Sequence, residues 1–170
     1  MNKTILELGC SQRPFTLSNL EDVAAGRVSL RLHESVKERV QVSRDFVEQV
    51  LASGETVYGI NTGFGRLASE RISLEQVSQL QRNLLRSHAA GVGEPLDIPA
   101  VRAIIALRVN SLISGKSGVN YELLESMLNL LHKEVTPFVP SRGSVGASGD
   151  LAPLAPVGLV LMGEGQAYYE

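Results

Sequence analysis

The chain has 170 residues, enough for one domain with a hydrophobic core, and its net charge of −2 gives no basic surface for nucleic acid. Its 44% hydrophobic and 20% charged residues are typical of globular proteins, and the single cysteine, Cys10, excludes an internal disulfide and a cysteine-based zinc site. We find neither a signal peptide nor an apolar stretch long enough for a bilayer, so we expect a cytoplasmic protein without a membrane partner.

Two short strands and a helix are predicted at the start of the chain. Residues 4–8 and 28–32 alternate apolar and polar side chains, which is typical of strands that bury one face. Between them we predict a short helix, with a capping box formed by Ser18 and Glu21 and a C-terminal glycine at Gly26.

The middle of the chain is predicted to be helical. Apolar residues at helical spacing indicate helices over 35–53, 73–87, Asp97 to Gly115, and Tyr121 to about Val135. We expect the first to open with Ser35 and Glu38 and to close at Gly54, and the fourth to be capped by Asn120.

A further apolar helix is predicted to begin near Leu151, capped by Asp150. Pro156 is unfavourable beyond a first helical turn, so we expect either a later helix start or a divergent sequence. Nothing in the sequence follows to cover this helix. We therefore expect that a C-terminal helical part is absent and that the 170-residue piece is inactive alone and poorly behaved as a monomer.

Three segments rich in glycine or proline fit no helix: 58–65, 87–95 and 136–150. Loops on a rigid frame often carry function. The third loop lacks the lysine of a Walker A motif after Gly149, and Asp150 stands where a nucleophile elbow needs glycine. It is therefore a flexible connection, an anion-binding nest, or a segment that reacts through its own backbone.

The sequence Ala147-Ser148-Gly149 has the residue types that backbone cyclisation requires. The Gly149 nitrogen can attack the Ala147 carbonyl carbon and close a five-membered ring, because Ala and Gly leave room for so tight a turn. Loss of two waters, one of which carries the Ser148 hydroxyl, leaves an exocyclic methylidene. Such a group is a strong electrophile, which no ordinary side chain supplies.

Four stretches in order resemble the aromatic amino acid ammonia-lyase family, whose members build a 4-methylidene-imidazol-5-one from Ala-Ser-Gly. They are YGINTGFG (58–65), RSHAAGVGEPL (86–96), LRVNSLISGKSGV (107–119) and GSVGASGDLAPLA (143–155). The resemblance covers essentially the whole chain, as the N-terminal catalytic portion (residues 1–170) of a longer family member. It implies a mainly α fold with a small β element near the N-terminus, in a family of long-helix-bundle homotetramers whose active sites are shared between subunits.

The resemblance also implies residue roles. The tripeptide 147–149 forms the prosthetic group autocatalytically, Tyr58 removes the β-proton of the substrate, and His88 contacts the substrate side chain. Gly65 in the tyrosine loop and Asp150 beside the tripeptide support the site. Without the resemblance, the better interpretation of Tyr58 would be a buried residue that packs its ring, and that of His88 a C-terminal helix cap.

Ser87-His88 is most similar to family members that eliminate ammonia from L-histidine to give trans-urocanate, in histidine degradation. Tyrosine-specific members also carry histidine here, and Pro156 stands where histidine lyases usually have histidine, so a tyrosine ammonia-lyase or an aminomutase is the alternative. A rival of another class is a non-catalytic helical module whose glycine loop binds an anion. The three histidines are scattered and the carboxylates lie on solvated helix faces, so we expect no metal.

Overall fold

The computed structural model describes residues 3–63, 72–143 and 151–169. Its helices and strands, in chain order, are β1 (Thr4–Leu8), α1 (Leu17–Ala24), β2 (Val28–Leu32), α2 (Ser35–Ser53), α3 (Leu74–His88), β3 (Val92–Pro95), α4 (Ile98–Leu112), α5 (Tyr121–His132), β4 (Val135–Pro137), β5 (Pro140–Arg142), α6 (Leu151–Leu161) and β6 (Ala167–Tyr169). The mainly α architecture predicted from the sequence is confirmed.

The strands β1 and β2 lie at the predicted residues and pair in parallel, from Thr4 opposite Val28 to Leu8 opposite Leu32. A parallel pair needs a crossover connection, and α1 provides it. Leu8 and Leu30 are buried on the inner side of this pair, where they join the hydrophobic core.

The capping box of α1 lies two residues before the predicted one. Thr16 is the N-cap: its hydroxyl accepts from the Asn19 N–H at 3.2 Å, and the Asn19 side chain accepts from the Thr16 N–H at 3.1 Å. The prediction of Ser18 and Glu21 is therefore wrong, because Ser18 already lies inside the helix. Gly26 follows the C-cap with a φ of 70°, as predicted for a C-terminal glycine.

The core lies where α1, α2, α4 and α5 meet the two parallel strands. Helix α1 packs on α4, and α4 packs on α5. Each helix contributes buried apolar residues at helical spacing, chiefly Val23, Val36, Val40, Val101, Ile105, Val109, Leu124 and Leu128. Helix α6 adds Val157 to this core and also packs against α3, which carries His88 of the candidate site.

Local capping signals set most helix ends. Asp97 and Asn120 cap α4 and α5 as predicted, by accepting main-chain N–H groups three residues later. Gly54 ends α2 with a left-handed φ of 75°, also as predicted. The predicted opening of α2 is wrong: Glu34 is its N-cap, without a side-chain capping bond, and the Ser35 hydroxyl contacts the imidazole of His33 instead.

Helix α5 ends at His132, three residues before the predicted end at Val135. Glu134 has a φ of 55°, which turns the chain out of the helix. Val135 then begins β4 and pairs with Tyr169 of β6. This distant strand supplies the hydrogen bonds that an extended helix would have made.

Two antiparallel strand pairs were not predicted. Strand β3 pairs with β5 and β4 pairs with β6, and each strand has three or four residues. Strands this short carry too little alternation to be recognised, and their partners are distant in the sequence. The β3–β5 pair brings the segment after α3 against the segment before α6.

Helix α6 runs from Leu151 to Leu161 through Pro156, which is buried. Proline therefore does not delay the start of the helix, although it removes the N–H that would bond the Ala152 carbonyl. In the part of the chain described, no helix combines the length and the apolar content that a membrane crossing requires.

Candidate functional site

Tyr58 occupies the second position of a tight turn between α2 and α3. The Ile60 N–H donates to the Val57 carbonyl at 3.1 Å, and Gly59 has a φ of 80°, the type II geometry that favours glycine at the third position. The Tyr58 side chain is 65% exposed. The interpretation of Tyr58 as a buried packing residue is therefore wrong, and its ring faces away from the core of this chain.

Asn61, which the sequence analysis missed, fixes this turn. Its side-chain oxygen accepts from the Val57 N–H at 2.9 Å, its amide nitrogen donates to the Glu55 carbonyl at 2.7 Å, and its main-chain carbonyl accepts from the Ile72 N–H at 2.9 Å. Asn61 is 2% exposed. An asparagine directly after a glycine turn could have indicated this role, because its amide can close a turn through the backbone.

His88 is the last residue of α3, at the predicted place beside a glycine-rich turn. Its Nδ1 lies 2.7 Å from the Leu84 carbonyl, which also accepts from the Ser87 hydroxyl at 2.8 Å. Because a carbonyl only accepts, Nδ1 is the donor in this contact, and Nε2 is the ring nitrogen left for a ligand. His88 thus caps its helix, and the cap selects one tautomer for any ligand contact.

The two ends of the glycine-rich loop meet close to His88. A Cβ built on Gly143 would lie 2.9 Å from the Ala152 Cβ and 3.0 Å from the Gly91 Cα. Real Cβ atoms essentially never come so close, so this three-way contact has no room for a side chain at Gly143. Gly143 and Ala152, which lie on either side of segment 144–150, are therefore adjacent. Since three residues span at most about 11 Å, His88 lies within that distance of Gly91 and hence near both loop ends.

Helices α3 and α6 pack antiparallel. Leu85 lies against Gly158 in the middle of α6, whereas Gly91, farther along the chain, lies against Ala152 in its first turn. His88 is therefore placed alongside the N-terminal half of α6. That end of a helix carries partial positive charge from its free N–H groups, which favours negative charge nearby.

An ion pair joins the last turn of α3 to the chain just beyond the end of α6. Arg86 donates through Nε and Nη2 to the two carboxylate oxygens of Glu164, at 2.8 and 2.7 Å. The hydrogen bond and charge of Arg86, with help from Arg82, hold the pKa of Glu164 below its ordinary value. The same pairing raises the pKa of Arg86. Nothing in the sequence pattern links these residues, and the sequence analysis missed both.

The remaining predicted site residues, Gly65, Ala147, Ser148, Gly149 and Asp150, lie outside the described residues. Of the predicted residues that are described, the structure places His88 beside the loop ends and Tyr58 on an exposed turn. Across the described ranges, no three His, Cys, Asp or Glu side chains are grouped to hold a metal ion.

The sequence matches a family model described as "Aromatic amino acid lyase" over residues 15–170. It is 49% identical over all 170 residues to a histidine ammonia-lyase of Pseudomonas fluorescens (strain SBW25), and covers 33% of that protein. It is 51% identical to a histidine ammonia-lyase of Anaeromyxobacter sp. (strain K) over 90% of this chain and 30% of that one. The chain thus spans about a third of the length of these relatives.

Solved structures of similar fold include enzymes with different substrates. The ergothioneine-degrading ergothionase of Treponema denticola matches with a TM-score of 0.91 and 31% identity, over 98% of this chain and 33% of that one. Histidine ammonia-lyase of Trypanosoma cruzi matches with a TM-score of 0.85 and 32% identity, over 98% and 31% of the two chains. The fold is therefore common to several activities, and substrate choice depends on particular side chains.

Proposed function

Because this chain belongs to the aromatic amino acid lyase family, we propose that it forms the N-terminal catalytic part of an ammonia-lyase that converts L-histidine to trans-urocanate and ammonia. The observation that carries the proposal is the position of His88 beside the loop ends, with Nδ1 committed to the Leu84 carbonyl. Its Nε2 has no hydrogen bond among the residues described here and suits an N–H of the substrate imidazole. The 49% identity to histidine ammonia-lyases supports the same substrate.

The surroundings of the loop fit a prosthetic group made from Ala147, Ser148 and Gly149. Cyclisation needs the chain to be compressed, and the crowded contact of Gly143 with Ala152 and Gly91 holds the loop ends together. The methylidene-imidazolone would supply the electrophile that activates the substrate for elimination. The N-terminus of α6 follows Asp150 directly and would stabilise negative charge that develops there.

Tyr58 is proposed as the base that takes the β-proton of the substrate. Asn61 fixes its turn, while Tyr58 itself is 65% exposed. This exposure suits a residue that acts in the active site of another subunit. We therefore propose that the active protein is a homotetramer in which Tyr58 acts at the prosthetic group of a neighbouring subunit. Gly65 would support the tyrosine loop, and a cytoplasmic location stays a prediction.

His88 gives the site its preference among aromatic amino acids. An Nε2 that accepts a hydrogen bond pairs with a donor on the substrate ring, and a phenyl ring offers none. Burial of an unpaired acceptor is costly, so such a site rejects the apolar analogue strongly. A tyrosine hydroxyl is also a donor, which keeps a tyrosine ammonia-lyase or aminomutase as the second candidate; a tyrosine aminomutase structure matches with a TM-score of 0.87.

Product analysis tests the proposal and separates these activities. The full-length protein that carries these residues and the 170-residue chain alone are each incubated with L-histidine, L-tyrosine, L-phenylalanine and ergothioneine. We expect urocanate and ammonia from L-histidine with the full-length protein and no turnover by the shorter chain. If coumarate or a β-amino acid is the main product, the assigned substrate changes from L-histidine to L-tyrosine.

Intact mass tests the prosthetic group. We expect the wild-type protein to be lighter than its sequence by two water molecules, and Ser148→Ala to have its full mass and no activity. Ser144→Ala, in the same loop, is the matched control and is expected to retain the mass deficit. A wild-type protein of unmodified mass that releases no ammonia would favour the anion-binding module.

A further inference from the structure

Arg86 uses all three of its guanidinium nitrogens. Two of them hold both oxygens of Glu164, and the third, Nη1, donates to the side-chain oxygen of Asn83 at 3.3 Å. The same Asn83 oxygen accepts from the Gln79 amide at 2.8 Å. A network therefore runs along α3 from Gln79 to Glu164 and restricts the guanidinium to one orientation.

This network lies at the end of the helix that carries His88. Arg86 is two residues before His88, and Glu164 is three residues past the end of α6 at Leu161. Leu85 packs against Gly158 in α6, and the ion pair joins the next residue of α3, Arg86, to the chain beyond α6. The last turn of α3 thus has two attachments, one to α6 through Leu85 and one to the segment that follows α6 through Arg86.

We propose that Arg86 is a positioning residue that, through Glu164, holds the last turn of α3 in place, sets the position of His88 and thereby determines substrate preference. This inference rests on the proposed function. In this proposal Arg86 does not contact the substrate. It acts by holding the helical turn that carries the imidazole of His88. The direct consequence is that its effect on preference depends on the presence of His88.

An ordinary surface ion pair is the competing interpretation, since the Arg86 and Glu164 side chains are 46% and 32% exposed. Isolated exposed pairs contribute little. This pair differs in its two-point geometry, its third contact to Asn83 and the 78 residues that separate its partners. The pair between Arg31 and Glu7 is the matched control, because it joins β1 to β2 at similar exposures of 63% and 28%, through a single nitrogen.

A double-mutant cycle in the full-length protein tests the proposal. The measured quantity is a preference ratio, the inhibition constant of L-phenylalanine divided by the KM of L-histidine. Since a displacement of about 1 Å can cost about 100-fold, we expect Arg86→Gln to lower this ratio by about 10- to 100-fold. We expect Glu164→Gln to do the same from the other side of the pair, and Arg31→Gln to leave the ratio unchanged.

The decisive comparison is made in the His88→Phe background. If Arg86 acts through His88, Arg86→Gln changes the preference ratio by less than about twofold there, because interacting sites are not additive. An equal effect in both backgrounds overturns the proposal. So does an Arg86→Gln protein that melts at a lower temperature but keeps the wild-type ratio. The failure of the proposed function gives a different result: the wild-type protein then lacks the mass deficit and releases no ammonia. An active Arg86→Gln protein with an unchanged preference ratio refutes only the role of Arg86.

Discussion

Replacement of Gly143 by alanine places a methyl group in the crowded contact at the loop ends. The new Cβ would lie 2.9 Å from the Ala152 Cβ and 3.0 Å from the Gly91 Cα. Neither atom belongs to the end of a flexible side chain: one is attached to the first turn of α6 and the other is main chain. Residue 143 must therefore move away from Ala152 and Gly91.

The cost follows from the size of the overlap. Overpacking of a fitted contact costs about 1–3 kcal/mol. At about 2–4 °C for each kcal/mol in a chain of this length, we expect the melting temperature of Gly143→Ala to fall by about 2–12 °C. For the proposed cyclisation we also expect an incomplete reaction, because Gly143 and Ala152, which flank the loop, are no longer held at the same separation.

Thermal melting and intact mass measure the two effects. Gly158→Ala is the control, since its Cβ would also lie 2.9 Å from a neighbour, but this neighbour is the terminal methyl of Leu85, which can rotate away. A helical Gly→Ala change also gains about 1 kcal/mol of helix propensity, so we expect a melting temperature at or near the wild-type value and a complete mass deficit. Equal melting temperatures and equal mass deficits in the two variants would refute the reasoning.

Two further predictions concern Tyr58 and Glu164. Tyr58→Phe is expected to lower kcat by about 10²–10⁴-fold, the usual loss for a general base, while it retains the mass deficit; near-wild-type turnover would place the base elsewhere. Arg86 holds the pKa of Glu164 down, so the pair's contribution to stability is complete above the unfolded carboxyl pKa of about 4.3 and is lost as the pH falls through the lower folded pKa. We expect the gap in melting temperature between wild type and Glu164→Gln to stay constant from about pH 7 to 5 and to shrink below about pH 4; a gap that widens in acid would contradict this assignment.

Local sequence rules predicted the elements whose determinants are neighbours in the chain. Asp97 and Asn120 cap helices through N–H groups three residues away, and Gly54 ends α2 through its own φ. The same rules failed at α1, where Thr16-Asn19 and Ser18-Glu21 are both plausible capping pairs. Helix propensity alone does not choose between two starts that are two residues apart.

Partners distant in the sequence account for what could not be predicted. The end of α5 at His132 depends on the pairing of Val135 with Tyr169, and the attachment of α3 depends on Glu164. Neither contact is indicated by a hydrophobic periodicity or by a motif in the sequence. His88 shows both kinds of information: its position next to a glycine turn was evident from the sequence, but its tautomer follows only from the carbonyl of Leu84.

The attachment of Arg86 to a residue 78 positions later also sets an order of events during synthesis of the chain. At roughly 5–20 residues per second, a ribosome needs roughly 4–16 s to add that length. During this interval α3 has been made but α6 has not, so the contact between Gly143 and Ala152 cannot form either. We therefore expect the proposed cyclisation at residues 147–149 to be a late maturation step, after the polypeptide has grown past Glu164.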